Sequence, residues 1–198
     1  MSLYSSVMGV RNVRQLPRSE RRQSILGGAA RAFTAAGFVA TSMEAIAEEA
    51  GVSKLLLYRH FDSKAELYRS VLERVLERIQ EEFSRMKGPG VSVRSFTTVA
   101  REDPDGFRLL WRHAAREPAF ASYAAGVRAE AVRFAEGVLT PYVDATILGW
   151  AAEAIVAFLV EAVLAWLERG DPHRDEEFVA LTTASMEALV RTWAGPRR

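Results

Sequence analysis

The side chains best suited to chemistry lie in one stretch and its flank, Thr41–Phe61 with the sequence TSMEAIAEEAGVSKLLLYRHF, followed by Lys64. Three hydroxyls (Thr41, Ser42, Ser53), a phenol (Tyr58), an imidazole (His60) and three cations (Lys54, Arg59, Lys64) fall close together in the chain. Hydroxyl, imidazole and ammonium donors grip phosphate oxygens, and a guanidinium either pairs bidentately with guanine or holds a phosphate. Hydroxyls at a helix N-terminus add to an anion-binding position. Catalysis has no comparable support. The chain contains no G-x-S-x-G, H-E-x-x-H, G-x-x-x-x-G-K-[ST] or G-x-G-x-x-G motif. The absence of cysteine excludes disulfides, thiolate metal sites and cysteine nucleophiles. His113 and Glu117 stand four apart, a spacing used in some metal sites, but no third ligand is near and the chain has three histidines. No enzyme activity, metal or cofactor is expected.

The elements that must position these groups follow from periodicity. From Arg18, Ile25, Ala29, Ala32/Phe33 and Ala36 repeat at helical spacing, and Gly37 stops the helix. Thr41 with Glu44 reads as a capping box opening a short second helix, with Met43, Ile46, Ala47 and Ala50 on one face. Gly51 breaks it, and Ser53 caps a third helix reaching about His60 or Phe61. Ser63 with Glu66 opens a long fourth helix ended by Lys87-Gly88-Pro89-Gly90. Two short helices joined by a tight glycine-containing turn form a helix-turn-helix, whose second helix enters the major groove. Leu57 and Phe61, four apart, define the buried side of that helix. Leu55 and Arg59 therefore point away, with Leu56 on a flank. An outward leucine suits contact with a thymine methyl. Charge agrees in sign: residues 1–65 carry a net +4 and residues 66–198 a net −3.

Arg21–Glu73 resembles the N-terminal domain of the TetR (tetracycline repressor) family, through AAGFVATSMEAIAEEAGVSKLLLYRHFDSKAEL. The resemblance implies a DNA-binding regulator: a homodimer, usually a repressor, on an approximately palindromic double-stranded operator, released when a small-molecule effector enters the C-terminal domain. Backbone contacts transfer to Thr41 or Ser42, Tyr58, His60 and Lys64, and base-reading positions to Lys54, Leu55, Leu56 and Arg59. Leu55 and Leu56 depart from the family, which often has small residues there, and this favours methyl contacts over polar base readout. An activator, an effector-free regulator, or a ligand-binding or enzymatic helical protein with a vestigial helix-turn-helix are the alternatives.

The rest of the chain reads as all-α, with helices near 92–101, 105–116, 119–140, 145–169 and 175–194. The expected division is a basic arm over 1–17, carrying Arg11 and Arg14, a helix-turn-helix domain over 18–64, and a ligand-binding and dimerisation domain over 65–198. The last two helices, rich in alanine, are expected to form a four-helix interface with a second copy. Such symmetry sets two recognition helices about 34–36 Å apart or somewhat more. Aromatic-rich helices often enclose apolar ligand sites. Phe107, Trp111, Tyr123, Trp150, Glu153 and Phe158 are the pocket candidates. Glu153 and Glu161 share one stripe, which either faces inward to attract a cationic ligand or forms a solvated edge. Ile147–Leu167 is apolar enough to suggest a membrane span. Glu153 and Glu161 within it favour a buried interface helix and no membrane. Met1–Val10 lacks a secretory signal pattern, and a cytoplasmic location is expected.

Overall fold

The computed structural model describes residues 17–85 and 90–194. The expected arm, but for Pro17, and the Lys87–Pro89 helix stop lie outside the described residues. The described residues are mostly helical, with no strand among them. The chain divides into two compact units, one ending at Val71 and the next beginning at Leu72. The division falls later than the sequence boundary at 64/65. Leu67, Tyr68 and Val71 are buried, and the Tyr68 ring packs edge-on against Phe33 at 4.8 Å and Phe38 at 5.3 Å. The opening turns of the fourth helix thus belong to the first unit.

The first unit, the head, holds α1 (Arg18–Ala40), α2 (Met43–Glu49), α3 (Lys54–Tyr58) and the start of α4 (Lys64–Arg85). Its core is formed by Ile25, Leu26, Ala29 and Phe33 of α1, Ile46 of α2, and Leu57 and Phe61 around α3, all essentially inaccessible. α1 is broken at Gly37, where φ is 79° and ψ 166°. α1 and α2 approach closely at Gly28, where a Cβ would stand 2.6 Å from the Ala50 Cα. The turn between α2 and α3 passes through Gly51 at φ 64°, a left-handed conformation that glycine adopts without a Cβ clash.

The capping expected of Thr41 is corrected by one residue. Ser42 is the N-cap of α2, its hydroxyl accepting from the Ala45 N–H at 3.1 Å. Thr41 is buried, and its hydroxyl donates to the Gly37 carbonyl at 2.6 Å. The break at Gly37 leaves a carbonyl that Thr41 satisfies. At α4 the expected box forms in half: Ser63 accepts from the Glu66 N–H, but the Glu66 carboxylate accepts from the N–H of Asp62, one residue before the cap.

The second unit, the body, holds the remainder of α4, α5 (Val91–Glu102), α6 (Pro104–Arg108), α7 (Ala121–Leu139), α8 (Leu148–Arg169) and α9 (Asp175–Trp193). The single helix expected over 105–116 is composite. α6 continues into a π-helical turn over Leu109–His113 and a 3₁₀ turn over Ala114–Arg116. α8 packs against α5, α7 and α9, and buries Ala151, Ala152, Ile155, Leu159, Val163 and Leu164. It is long and apolar enough to cross a membrane by length and composition. In this fold it is the core helix of the body. α5, α8 and α9 are tied together at Asp175, which accepts from Arg101 (2.8 Å from Nη2) and from the Trp166 indole (2.6 Å). The Arg101 guanidinium, followed by the indole hydrogen bond, holds the Asp175 carboxyl below its ordinary pKa of 3.8, against the opposing effect of burial.

Candidate nucleic-acid interface and body cavity

α3 is five residues long, and its capping fixes its phase. Ser53, in extended conformation, accepts from the Leu56 N–H at 3.2 Å. This satisfies one of the orphan donors at a helix start. With Leu57 and Phe61 sealed into the head, Leu55 is 68% exposed and Tyr58 44% exposed. Arg59 is exposed, while Leu56 and His60 are half-buried. The outward and inward faces are those expected from the helical phase. A leucine, a phenol and a guanidinium therefore stand on one open surface. Arg59 makes no ion pair among the described residues.

The other cations are more committed than the sequence implied. Lys54 is ion-paired with Glu44 and lies 5.9 Å from the Tyr58 ring centre. The pair lowers the Glu44 pKa and raises that of Lys54, in each case chiefly through their hydrogen bond. Lys64 donates to the Thr41 carbonyl at 2.8 Å and the Val39 carbonyl at 3.2 Å, and sits 4.6 Å over the Phe38 ring. It clamps the α1–α2 connection to α4 and keeps one of its three donor protons for anything else. Thr41, a candidate phosphate contact, has its hydroxyl turned inward. Ser42 is the exposed hydroxyl of that pair.

Three arginines at the start of α1 were not among the sequence candidates. Burial, and then the charges of Arg18, Arg21 and Arg22, hold the His60 pKa below its ordinary 6.5. At neutral pH His60 is therefore an uncharged imidazole beside three cations. The Arg22 guanidinium lies 5.1 Å from the Phe61 ring centre. The signal was present as Arg18-Ser-Glu-Arg21-Arg22, but nothing in its spacing related it to α3.

The body contains a cavity of about 990 Å³ lined from α4, α5, α7, α8 and α9 together with Trp111 of the π turn. Phe83, Phe96, Phe134 and Leu159 contribute apolar walls. Of the six pocket candidates, Trp111 alone lines it. Phe107 is fully buried, its ring 5.9 Å from that of Phe96, and is core. Tyr123 and Phe158 are half-buried away from the cavity. Trp150 is 60% exposed and packs edge-on against Trp193 at 5.1 Å. Glu153 faces outward and pairs with Arg128 at 2.5 Å, and Glu161 lies 3.6 Å from Arg112. Their stripe is the solvated edge, because α8 turns its opposite face to the core. Phe83, Phe96 and Phe134 form a connected edge-to-face set on the cavity side, with centroids 6.4 and 5.6 Å apart.

A three-helix head presenting α3 outward, followed by a helical body, defines a helix-turn-helix protein of the one-head, one-body kind. Residues 25–71 match the family of bacterial regulatory proteins described as the tetR family. It is 35% identical over 113 residues to the HTH-type transcriptional activator FasR of Mycolicibacterium smegmatis, covering 53% of this chain and 52% of that protein. It is 35% identical over 99 residues to the HTH-type transcriptional regulator RutR of Escherichia coli K12, covering 46% of this chain and 47% of that protein. The chain thus spans about half the length of the curated relatives it matches. The fold extends further. The crystal structure of a TetR-like transcriptional regulator from Rhodococcus sp. RHA1 superposes with a TM-score of 0.76 over 92% of this chain and 100% of that one, at 24% identity.

Proposed function

We propose that this chain is a sequence-specific, double-stranded-DNA-binding transcriptional regulator of the bacterial cytoplasm, acting as a homodimer and responding to a small molecule bound in its body. The observation that carries the reading is α3: Leu57 and Phe61 anchor it while Leu55, Tyr58 and Arg59 face solvent. Exposing a leucine costs a globule apolar burial and serves a helix that reads thymine methyls. Arg59, unpaired within the described residues, is the base-reading or phosphate-holding cation. Ser42, Tyr58 and neutral His60 donate to the backbone, with Arg18, Arg21 and Arg22 raising the local positive potential. Lys54 reaches DNA by exchanging Glu44 for a phosphate.

Two further observations support the dimer and the effector. Trp150 and Leu181, on the last two helices, are 60% and 62% exposed, and such residues are commonly covered by a partner. The cavity supplies an effector site. α4 is covalently continuous through both units, so a ligand that favours one setting of the two heads shifts operator affinity. A coupling of about 1–3 kcal/mol changes affinity roughly 5- to 150-fold. The sign of regulation is repression, the usual sense in the family. Activation is the second reading, favoured by the name of the relative FasR.

A gel shift with DNA flanking the coding region tests this reading. Specific retardation is expected, with Arg59→Ala weakening it by about 1–3 kcal/mol and relaxing preference at one position of each half-site. Absence of a specific complex at any flanking or selected sequence overturns it. Leu181→Glu is expected to yield monomers in sedimentation.

A further inference from the structure

We propose that Glu44 is a specificity-determining residue of the head. It competes with DNA phosphates for the Lys54 ammonium, and once released its carboxylate accepts a hydrogen bond from a cytosine N4 amino group. The proposal rests on α3 entering the major groove of DNA, and it assigns a base preference to one position of each half-site.

Placement comes first. Glu44 is the second residue of α2 and Lys54 the first of α3, and the two are ion-paired across the turn. Their side chains are 60% and 53% accessible, so the pair stands on the open surface that also carries Leu55 and Tyr58. The Lys54 ammonium lies 5.9 Å from the Tyr58 ring centre. A recognition helix meets base edges with its N-terminal residues. A carboxylate bound to the first residue of α3 is therefore carried to the groove with it. Two other acids of the head are committed elsewhere: Glu49 to Arg31 of α1 at 2.5 Å, and Glu66 to the Asp62 N–H at 2.6 Å.

Charge then sets what Glu44 does at the duplex. Its hydrogen bond with Lys54 holds its pKa below the ordinary 4.5, so it is an anion at neutral pH. The phosphates of duplex DNA form a dense row of negative charge, which attracts an ammonium and repels a carboxylate. On DNA of unrelated sequence, Lys54 gains a phosphate only by leaving Glu44 unpaired among like charges. Non-specific binding thereby loses most of one phosphate contact. An exposed ion pair is weak, so a site that offers Glu44 a new donor displaces it readily. The base-edge donors of the major groove are the cytosine N4 and adenine N6 amino groups. Adenine sets the N7 acceptor beside its donor, which repels a carboxylate, whereas cytosine N4 suits an ionised acceptor. Where cytosine faces Glu44, the carboxylate is paired again and Lys54 keeps its phosphate. Elsewhere Glu44 is a repulsive element of the kind that specific recognition uses.

The test uses the full chain and a pool of duplexes randomised at their central base pairs. Wild type and Glu44→Gln are each carried through selection. Affinities for the wild-type-selected duplex and for the unselected pool are then measured by fluorescence anisotropy from about 50 to 200 mM KCl. Wild type should prefer cytosine at one position of each half-site by at least about five-fold, and Glu44→Gln should lose that preference. Glu44→Ala serves as the second variant, because glutamine brings a preference for adenine of its own. On the unselected pool Glu44→Gln should bind about three- to five-fold more tightly at low salt, the worth of an exposed ion pair. Its salt slope there should steepen by about 0.9, one further phosphate contact, and stay as in wild type on the selected duplex. The gain on the pool should vanish in the double variant Glu44→Gln/Lys54→Met. A gain that survives there means that Glu44 acts through net charge alone, and overturns the proposal. The same cytosine preference in wild type and both Glu44 variants, or unchanged affinity and slope on the pool, overturns it as well. Any of these with a wild type that still selects a sequence leaves the DNA-binding reading standing. A wild type that selects no sequence sinks that reading and this proposal with it.

Discussion

The head and the body arrange their functional side chains in opposite senses. In the head a five-residue helix is pinned by Leu57 and Phe61 and turns Leu55, Tyr58 and Arg59 out to solvent. In the body the apolar side chains that matter, Phe96, Ile155 and Leu159 among them, line a cavity between helices. A surface of the first kind is specified by the phase of one helix. A cavity of the second kind exists only where several helices fail to fill the space between them. The head therefore tolerates change on its outer face and not beneath it. The body is sensitive on the wall that faces the void.

The sharpest way to break this contrast is to truncate neighbours on α3. Leu57→Ala removes a fully buried side chain and is expected to destabilise the head by about 2–5 kcal/mol in urea unfolding. Leu55→Ala, two residues away, should change stability by no more than about 0.5 kcal/mol while altering preference at A·T positions in operator selection. Equal stability losses would mean that α3 is not phased as described.

Next in size is Asp175→Asn in the body, expected to cost about 1.5–3 kcal/mol, the range for hydrogen bonds to charged groups. Because the folded-state pKa of Asp175 is depressed below 3.8, chiefly by Arg101, its contribution is fully present above that ordinary value. It is lost as pH falls through the lower folded value. The wild type should lose this stability on acidification below about pH 4, and the variant should show a shallower acid limb in thermal melts. An identical acid limb would remove Asp175 from the tie between α5, α8 and α9.

Gly28→Ala places a Cβ 2.6 Å from the Ala50 Cα. It is expected to cost about 1–3 kcal/mol by overpacking, with DNA affinity falling in parallel. Full stability in that variant would show that α1 and α2 separate without penalty. The smallest effect belongs to His60. Burial and the three α1 arginines hold its pKa below 6.5, so its contribution to stability is present above pH 6.5 and declines as pH falls below it. His60→Gln should flatten the urea midpoint between pH 7.5 and 5.5, a change of order 0.5 kcal/mol. A phosphate beside His60 favours the charged imidazole, so operator binding should tighten over the same acid range, and not in the variant.

Much of the head was legible in the residues. The Ser53 cap, the Gly51 turn and the four-residue spacing of Leu57 and Phe61 placed α3 and both of its faces. The capping residue of α2 was off by one, because the Thr41 hydroxyl turns back to the Gly37 carbonyl, a contact that the spacing of Thr41 and Glu44 does not show. In the body the helix boundaries near 119–140, 145–169 and 175–194 fell within a few residues of those observed. The interruption of 105–116 by a π turn did not show, since Leu109–His113 contains no glycine or proline to announce it.

By itself the amino-acid order determined an all-α chain and which way each residue of α3 points. These depend on caps, glycines and recurrences three and four residues apart, all local in the chain. Only the tertiary structure decided that Lys64 is spent on the Thr41 and Val39 carbonyls. It alone turned Glu153 toward Arg128 and left Trp111 facing a void while Trp150 meets solvent. Those outcomes join residues 23 to 25 apart, or depend on where packing stops, and no local periodicity encodes either.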